Sequence, residues 1–150
     1  MILFHSILVV CVGNICRSPV GERLLQARLA ARGRALEVAS AGIGALVGHP
    51  ADETAARVAA AHGVDLSGHR GRQFTAELGA AHDLILVMEP WHRREIASLA
   101  PALAGRTMLF DEWTGKSGIP DPYRKPEAIH EATFRLLDEA ASAWAERLAK

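Results

Sequence analysis

The stretch that most constrains this chain is residues 6–19, SILVVCVGNICRSP. Residues 7–10 form an unbroken apolar run, which predicts a buried strand, and the run leads directly into a loop that begins at Cys11. The loop ends at Ser18 and Pro19, which suit the cap and the first turn of a helix. The stretch therefore predicts a strand, a tight loop and a helix in immediate succession.

This loop has the chemistry of an anion-binding site. At the start of a helix the backbone N–H groups lack partners and the positive end of the helix dipole points outward. Gly13 and Asn14 are residue types that tolerate left-handed backbone angles, so successive N–H groups can turn toward one centre. A phosphate group fits such a concave ring of donors.

Cys11 and Arg17 add reactive groups to the predicted ring. The positive field favours the thiolate of Cys11, which is the nucleophilic form of a cysteine. The planar guanidinium of Arg17 can hold two phosphoryl oxygens. A core cysteine and a surface arginine also arise at this spacing by chance, but the preceding strand, the glycine and the following helix favour a catalytic phosphate site.

The overall composition excludes several classes of partner. Lysine plus arginine equals aspartate plus glutamate at 17 each, so no net charge attracts nucleic acid or a membrane surface. Residues 1–6 carry no basic leader and are too few to cross a membrane, so we expect a cytoplasmic protein without membrane insertion. Both cysteines, Cys11 and Cys16, lie in the loop without a histidine cluster. Neither a structural disulfide nor a metal site is expected.

Apolar periodicity and turn residues predict strands that alternate with helices along the whole chain. This alternation predicts a parallel sheet covered by helices on both faces, with ligands bound beyond the carboxyl ends of the strands. Trp144 lies on the apolar stripe of the last helix and is predicted to be a core residue. The predicted strands are residues 7–10, 35–41, 83–88 and 107–110, and the predicted helices are residues 19–33, 52–62, 91–99 and 127–149, with a helical turn at 75–81.

A general acid is needed if Cys11 attacks phosphorus, because the leaving oxygen must be protonated. Asp121 is the candidate, since it lies between two prolines in the long loop at residues 111–126, although a plain proline-rich turn is the simpler interpretation. Asp83 and Glu89 are the other candidate acids. For the polar residues 65–74, which include His69, a solvated connection is the simplest interpretation.

Residues 11–19 together with residues 121–123 resemble the low-molecular-weight protein tyrosine phosphatase family in type, order and separation. The resemblance covers nearly the whole chain, and residues 40–42, 69, 72–73 and 88 also match. Residues 108–110 and 119–125 resemble the bacterial branch that acts on autophosphorylating tyrosine kinases of exopolysaccharide and capsule export. We therefore expect a single α/β domain at residues 1–150, with three α/β/α layers, a four-stranded parallel sheet in the order 2-1-3-4 and the phosphate-binding loop after strand 1.

The resemblance also assigns roles to individual residues. It implies that Cys11 is the nucleophile, that Arg17 binds phosphate and that Asp121 is the general acid and then the general base. It makes Cys16 a redox partner that pairs reversibly with Cys11 and shields it from overoxidation. The implied phosphate-binding residues are Val12, Gly13, Asn14, Ile15, Cys16, Arg17 and Ser18, and the implied supporting hydrogen-bond network is Ser18, Asn14, Ser40 and His69.

Three residues make the predicted substrate walls less aromatic than those of the mammalian members of the family. Leu46 and Val47 stand where those members carry a large aromatic residue, and Arg124 replaces a second aromatic residue after Tyr123. The bacterial pattern fits better. Leu46 and Tyr123 are the expected walls around the substrate.

The implied reaction forms a phosphocysteine and then releases inorganic phosphate, with no cofactor and no metal. The expected partner is a phosphotyrosine protein, namely an autophosphorylating tyrosine kinase, and not nucleic acid. Two alternatives remain open. A thioredoxin-coupled arsenate reductase resembles the fold and the loop but needs further cysteines, and none follows Cys16. A non-catalytic anion-binding regulatory module needs neither nucleophile nor acid.

Overall fold

Four short strands form one parallel sheet in the computed structural model, which describes residues 4–150. The strands are β1 (Ser6–Cys11), β2 (Glu37–Gly42), β3 (Leu84–Val87) and β4 (Thr107–Leu109). In spatial order they run β2, β1, β3 and β4. The predicted parallel sheet and its order are confirmed.

Helices cover both faces of the sheet. They are α1 (Arg17–Ala31), α2 (Glu53–Ala61), α3 (Ala76–Ala80), α4 (Pro90–Leu99) and α5 (Glu127–Leu148), with a 3₁₀ helix at Pro101–Arg106. Three of them, α1, α2 and α5, pack against one another on one face, whereas α4 and the 3₁₀ helix lie on the other face beside α3. The predicted three-layer arrangement is confirmed, but the 3₁₀ helix was not predicted.

The central strand β1 is buried on both sides, which explains why its sequence is apolar without alternation. Ile7 and Val9 face the core under α1 and α5, whereas Leu8 and Val10 face the core under α4. Trp144 is buried in the first of these cores, as predicted, and its indole Nε1 donates to the carbonyl of Leu109 at 3.2 Å.

The end of β2 approaches the loop after β1 so closely that only glycine fits. Gly42 pairs with Cys11 across the sheet. A Cβ atom on Gly42 would lie 2.3 Å from the carbonyl oxygen of Val12 and 3.0 Å from the backbone nitrogen of Asn14. The second strand therefore supports the backbone of the loop directly.

No helix within residues 4–150 has the length and apolar character needed to cross a membrane. Over the same residues, no three histidine, cysteine, aspartate or glutamate side chains are close enough together to hold a metal ion.

Candidate active site

The carbonyl groups of the loop after β1 all point away from its centre. Each of the five carbonyls from Cys11 to Ile15 accepts a hydrogen bond from a segment outside the loop. The donors, in the order of the carbonyls, are the backbone nitrogens of Ile43, Gly44 and Leu46, the imidazole Nε2 of His69 and the backbone nitrogen of Asp52, at 2.9, 3.0, 3.0, 2.6 and 2.8 Å.

The N–H groups of the loop are left free by this arrangement. Within the described part of the chain, none of the N–H groups of residues 13–16 donates to a protein acceptor. The loop lines a cavity of about 180 Å³ with Cys11 among its walls. Unpaired N–H groups at a helix start are an anion site, so the geometry suits a phosphoryl group held over the Cys11 sulfur.

Asn14 holds the loop together. It is completely buried and adopts the left-handed conformation, with φ of 59°. Its amide nitrogen donates to the hydroxyl groups of Ser18 at 2.7 Å and Ser40 at 3.0 Å, and its amide oxygen accepts from the backbone nitrogen of Arg72 at 2.8 Å. Because His69 donates to its backbone carbonyl, every polar group of Asn14 except the backbone N–H forms a hydrogen bond.

Ser18 does not cap the helix, in contrast to the prediction. The first helix begins two residues earlier than predicted, at Arg17, and Cys16 occupies the cap position without a side-chain hydrogen bond. The Ser18 hydroxyl lies 2.9 Å from the Cys11 sulfur and accepts a hydrogen bond from Asn14. Because the oxygen is already an acceptor, its proton is available for donation to a Cys11 thiolate.

Arg17 is almost completely buried, with 2% of its surface exposed. Its Nη1 donates to Glu89 Oε2 at 2.7 Å and to the Ile119 carbonyl at 2.8 Å, which leaves Nη2 toward Asp121, 3.9 Å from Oδ2. Sequence reasoning missed the part that Ile119 plays and considered Glu89 only as an acid. No local signal joins positions so far apart in the chain.

Two of the three candidate acids, Asp121 and Asp83, lie at opposite ends of the sheet. Asp121 lines the cavity beside Leu46 and Tyr123, and its side chain is half exposed. Its Oδ1 accepts from the backbone nitrogen of Tyr123 at 3.0 Å, which leaves Oδ2 directed toward Arg17. Asp83 is wrong as a candidate, because it lies at the opposite end of the sheet and binds the backbone nitrogens of residues 5 and 6.

Cys16 differs sharply from Cys11 in its surroundings. Both thiols are free and buried, but Cys16 packs with Ile15 and Ala55. Burial, reinforced by the Asp52 carboxylate, raises the pKa of the Cys16 thiol far above its usual range. Cys16 therefore stays a neutral thiol at neutral pH, and its pairing with Cys11 stays a prediction.

His92 is a buried partner of Glu89 that sequence reasoning missed. Its Nδ1 accepts from the Glu89 backbone nitrogen at 3.2 Å, so the proton of the neutral ring is on Nε2. That nitrogen lies 3.4 Å from Glu89 Oε2 without forming a hydrogen bond. Burial, reinforced by the charge of Arg17, lowers the pKa of His92 to about 4. The ring is therefore neutral at physiological pH.

We expect His92 to make the fold acid-sensitive. The unfolded chain protonates this residue below its ordinary pKa of 6.5, whereas the folded protein resists protonation down to about 4. Between those values the unfolded state binds more protons, so stability is lost as the pH falls, by about 2 kcal/mol at pH 5 for this residue alone. Urea unfolding at pH 7.5 and pH 5 should show this loss in the wild type and not in His92→Asn, whose side-chain oxygen can still accept from Glu89. Equal losses in both proteins would contradict the assignment.

A parallel α/β sheet with a cysteine and an arginine around a ring of free N–H groups defines a protein of the phosphate-handling class. The chain matches the family described as low molecular weight phosphotyrosine protein phosphatase over residues 6–150. It is 52% identical over 147 residues to the low molecular weight protein-tyrosine-phosphatase Etp of Escherichia coli K12. The match covers 98% of this chain and 97% of Etp.

Two solved structures share the whole fold. The tyrosine phosphatase Wzb from Escherichia coli K30 in complex with sulphate superposes with a TM-score of 0.93 at 49% identity, over 97% of this chain and 99% of that one. Vibrio vulnificus Wzb in complex with benzylphosphonate superposes with a TM-score of 0.91 at 48% identity over the same shares. The chain therefore belongs to the low molecular weight phosphotyrosine protein phosphatase family, and it is a protein-tyrosine phosphatase.

Proposed function

We propose that this enzyme hydrolyses phosphotyrosine through a phosphocysteine on Cys11. The observation that carries the mechanism is the loop itself, whose carbonyls are all bound outward while its N–H groups stay free above the Cys11 sulfur. Such preorganised donors stabilise the negative charge of a transferring phosphoryl group without any rearrangement during the reaction.

In the first step the Cys11 thiolate attacks phosphorus in line with the phenolic oxygen. The Ser18 hydroxyl, 2.9 Å from the sulfur, stabilises the thiolate, and Arg17 holds the phosphoryl oxygens. As the P–O bond breaks, Asp121 gives its proton to the departing phenolate. Its position at the mouth of the cavity, near Arg17 Nη2, supports this role.

In the second step water attacks the phosphocysteine. The Asp121 carboxylate, now ionised, takes a proton from this water, and the P–S bond breaks to release inorganic phosphate and restore the Cys11 thiolate. Positive charge and backbone dipoles serve the role that a metal ion has in other phosphatases, so no metal or cofactor is part of the proposal.

The proposed substrate is a phosphotyrosine protein, specifically an autophosphorylating tyrosine kinase of exopolysaccharide or capsule production. Support comes from residues 108–110 and 119–125, which resemble the bacterial branch of the family. The cavity walls also suit an aromatic side chain, because Leu46 and Tyr123 line the cavity while Cys11 is only 2% exposed. A short phosphoserine side chain would not bring its phosphorus to that depth.

The test is phosphate release from matched phosphotyrosyl and phosphoseryl peptides in excess EDTA, followed by the same measurement on a purified autophosphorylated tyrosine kinase. We expect turnover of the phosphotyrosyl peptide and the kinase only. Arsenate reduction with thioredoxin is measured in parallel, and activity there would favour the reductase. Phosphate binding without any turnover by freshly reduced enzyme would favour the binding module.

Asp121→Asn should reveal the general acid through the leaving group. The amide cannot protonate the leaving oxygen, so kcat/KM for phenyl phosphate should fall about 10²-fold. For p-nitrophenyl phosphate, whose leaving group needs no proton, the fall should be less than about tenfold. Asp83→Asn is the matched control, because that carboxylate lies at the other end of the sheet. Equal losses on both substrates would exclude Asp121 as the acid.

A further inference from the structure

A second cavity lies beside the phosphate-binding loop and shares no lining residue with the active-site cavity. It has a volume of about 320 Å³ and is open to solvent. Three of the residues that line it, Ser40, His69 and Arg72, also form hydrogen bonds with Asn14. The polar residues that line it are Glu22, Arg23, Ser40, His69, Arg70 and Arg72.

The charge of this cavity is positive. Three guanidinium groups line it against the single carboxylate of Glu22, which already pairs with Arg23 at 3.1 Å. Arg70 and Arg72 are exposed, and neither forms an ion pair with any residue of the described chain. Two guanidinium groups without a carboxylate partner are the side chains that bind phosphoryl oxygens most readily.

His69 contributes an unpartnered polar atom. The residue is 93% buried, and its Nε2 lies 2.6 Å from the carbonyl oxygen of Asn14. A carbonyl can only accept, so Nε2 carries the proton and Nδ1 is the second polar atom of the ring. Among the described residues Nδ1 has no hydrogen-bond partner, and the ring lines the second cavity.

We propose that this cavity is a regulatory site for a small phosphoryl anion, such as a diphosphate or a phosphate monoester. The anion binds the guanidinium groups of Arg70 and Arg72, which line the cavity. The charged groups that surround the His69 ring are Arg70 and Arg72 on its own loop and Glu22 and Arg23 on α1.

The anion acts on the active site through Asn14. The link is Arg72, because its backbone nitrogen donates to the Asn14 side-chain oxygen and its Nε donates to the Ser40 carbonyl at 3.3 Å. The bound anion therefore steadies the left-handed turn that keeps the N–H groups aimed at the substrate. This inference rests on the proposed function.

The binding test uses pyrophosphate with the active site already saturated by benzylphosphonate, a phosphotyrosine mimic. We expect calorimetry to show one further site in the wild type, weakened at least about tenfold in Arg70→Gln/Arg72→Gln and unchanged in Arg93→Gln, an exposed arginine on α4. If the double variant does not fold, the single variant Arg70→Gln takes its place in the calorimetry. Absence of the further site, or equal affinity in all variants, overturns the proposal.

The kinetic test separates this site from competition at the active site. Pyrophosphate should raise kcat for a phosphotyrosyl peptide by about fivefold in the wild type and not in the double variant. Its competition with substrate should raise the apparent KM of both proteins. An unchanged or lower kcat in the wild type overturns the regulatory role while leaving the phosphatase function intact, whereas absence of turnover in the wild type without pyrophosphate would defeat the proposed function itself.

Discussion

Cys11→Ser should lower the turnover of phosphotyrosyl peptides by about 10⁴-fold or more while leaving phosphate binding nearly unchanged. A serine hydroxyl at this position is not ionised at neutral pH, so the phosphoenzyme cannot form at a useful rate. The anion site survives, because the backbone N–H groups and Arg17 bind the phosphoryl oxygens and neither depends on the sulfur.

The measurement is single-turnover phosphate release beside calorimetric phosphate binding, with acid-quenched wild type examined by ³¹P NMR for a phosphorus–sulfur bond. A variant that binds phosphate but does not hydrolyse the peptide shows that the sulfur is needed for the chemical step and not for binding. Residual turnover of Cys11→Ser within tenfold of the wild type would mean that water attacks the substrate directly and that no covalent intermediate is required.

Arg17→Lys should lower kcat by about 10³-fold, the second largest effect that we expect. The guanidinium binds Glu89 and the Ile119 carbonyl through Nη1, and its Nη2 lies near the Asp121 carboxylate. A lysine retains the charge but has a single nitrogen, which cannot hold those two acceptors and the phosphoryl oxygens together. We also expect a loss of about 1–3 kcal/mol in the free energy of unfolding, because a buried acceptor is left without its donor.

Steady-state kinetics with p-nitrophenyl phosphate and urea unfolding measure the two effects separately. The matched control is Arg93→Lys on the exposed surface of α4, which should change neither quantity. If Arg17→Lys kept kcat within tenfold of the wild type, positive charge alone would be sufficient, and the two-nitrogen arrangement built by Glu89 and Ile119 would have no catalytic importance.

The features predicted correctly from sequence are those that depend on neighbours along the chain. The apolar run of β1, the start of α2 at Asp52 and the apolar stripe that includes Trp144 each appear in the structure as predicted. Local patterns also explain the errors. Ser18 is a residue type that favours helix caps, but Cys11 and Asn14 both compete for its hydroxyl, so it binds them instead.

His69 shows what local patterns miss. By composition, residues 65–74 are a solvated connection, and only the family resemblance predicted a supporting role for His69. In the structure the ring is buried against Asn14, 55 positions earlier in the chain. Arg72 reaches the same residue across 58 positions. Burial of a polar segment depends on what packs against it, which the segment itself does not encode.

The sequence by itself determined the strand, the loop and the position of the cysteine and arginine within it, because strand and helix propensities and turn chemistry act over a few residues. Only the tertiary structure decided which atoms hold those two side chains. Glu89 and Ile119 reach Arg17 from 72 and 102 positions away, and they meet it because parallel strands bring their carboxyl ends to one edge of the sheet. Contacts of that range depend on sheet order and helix packing, which are properties of the whole chain.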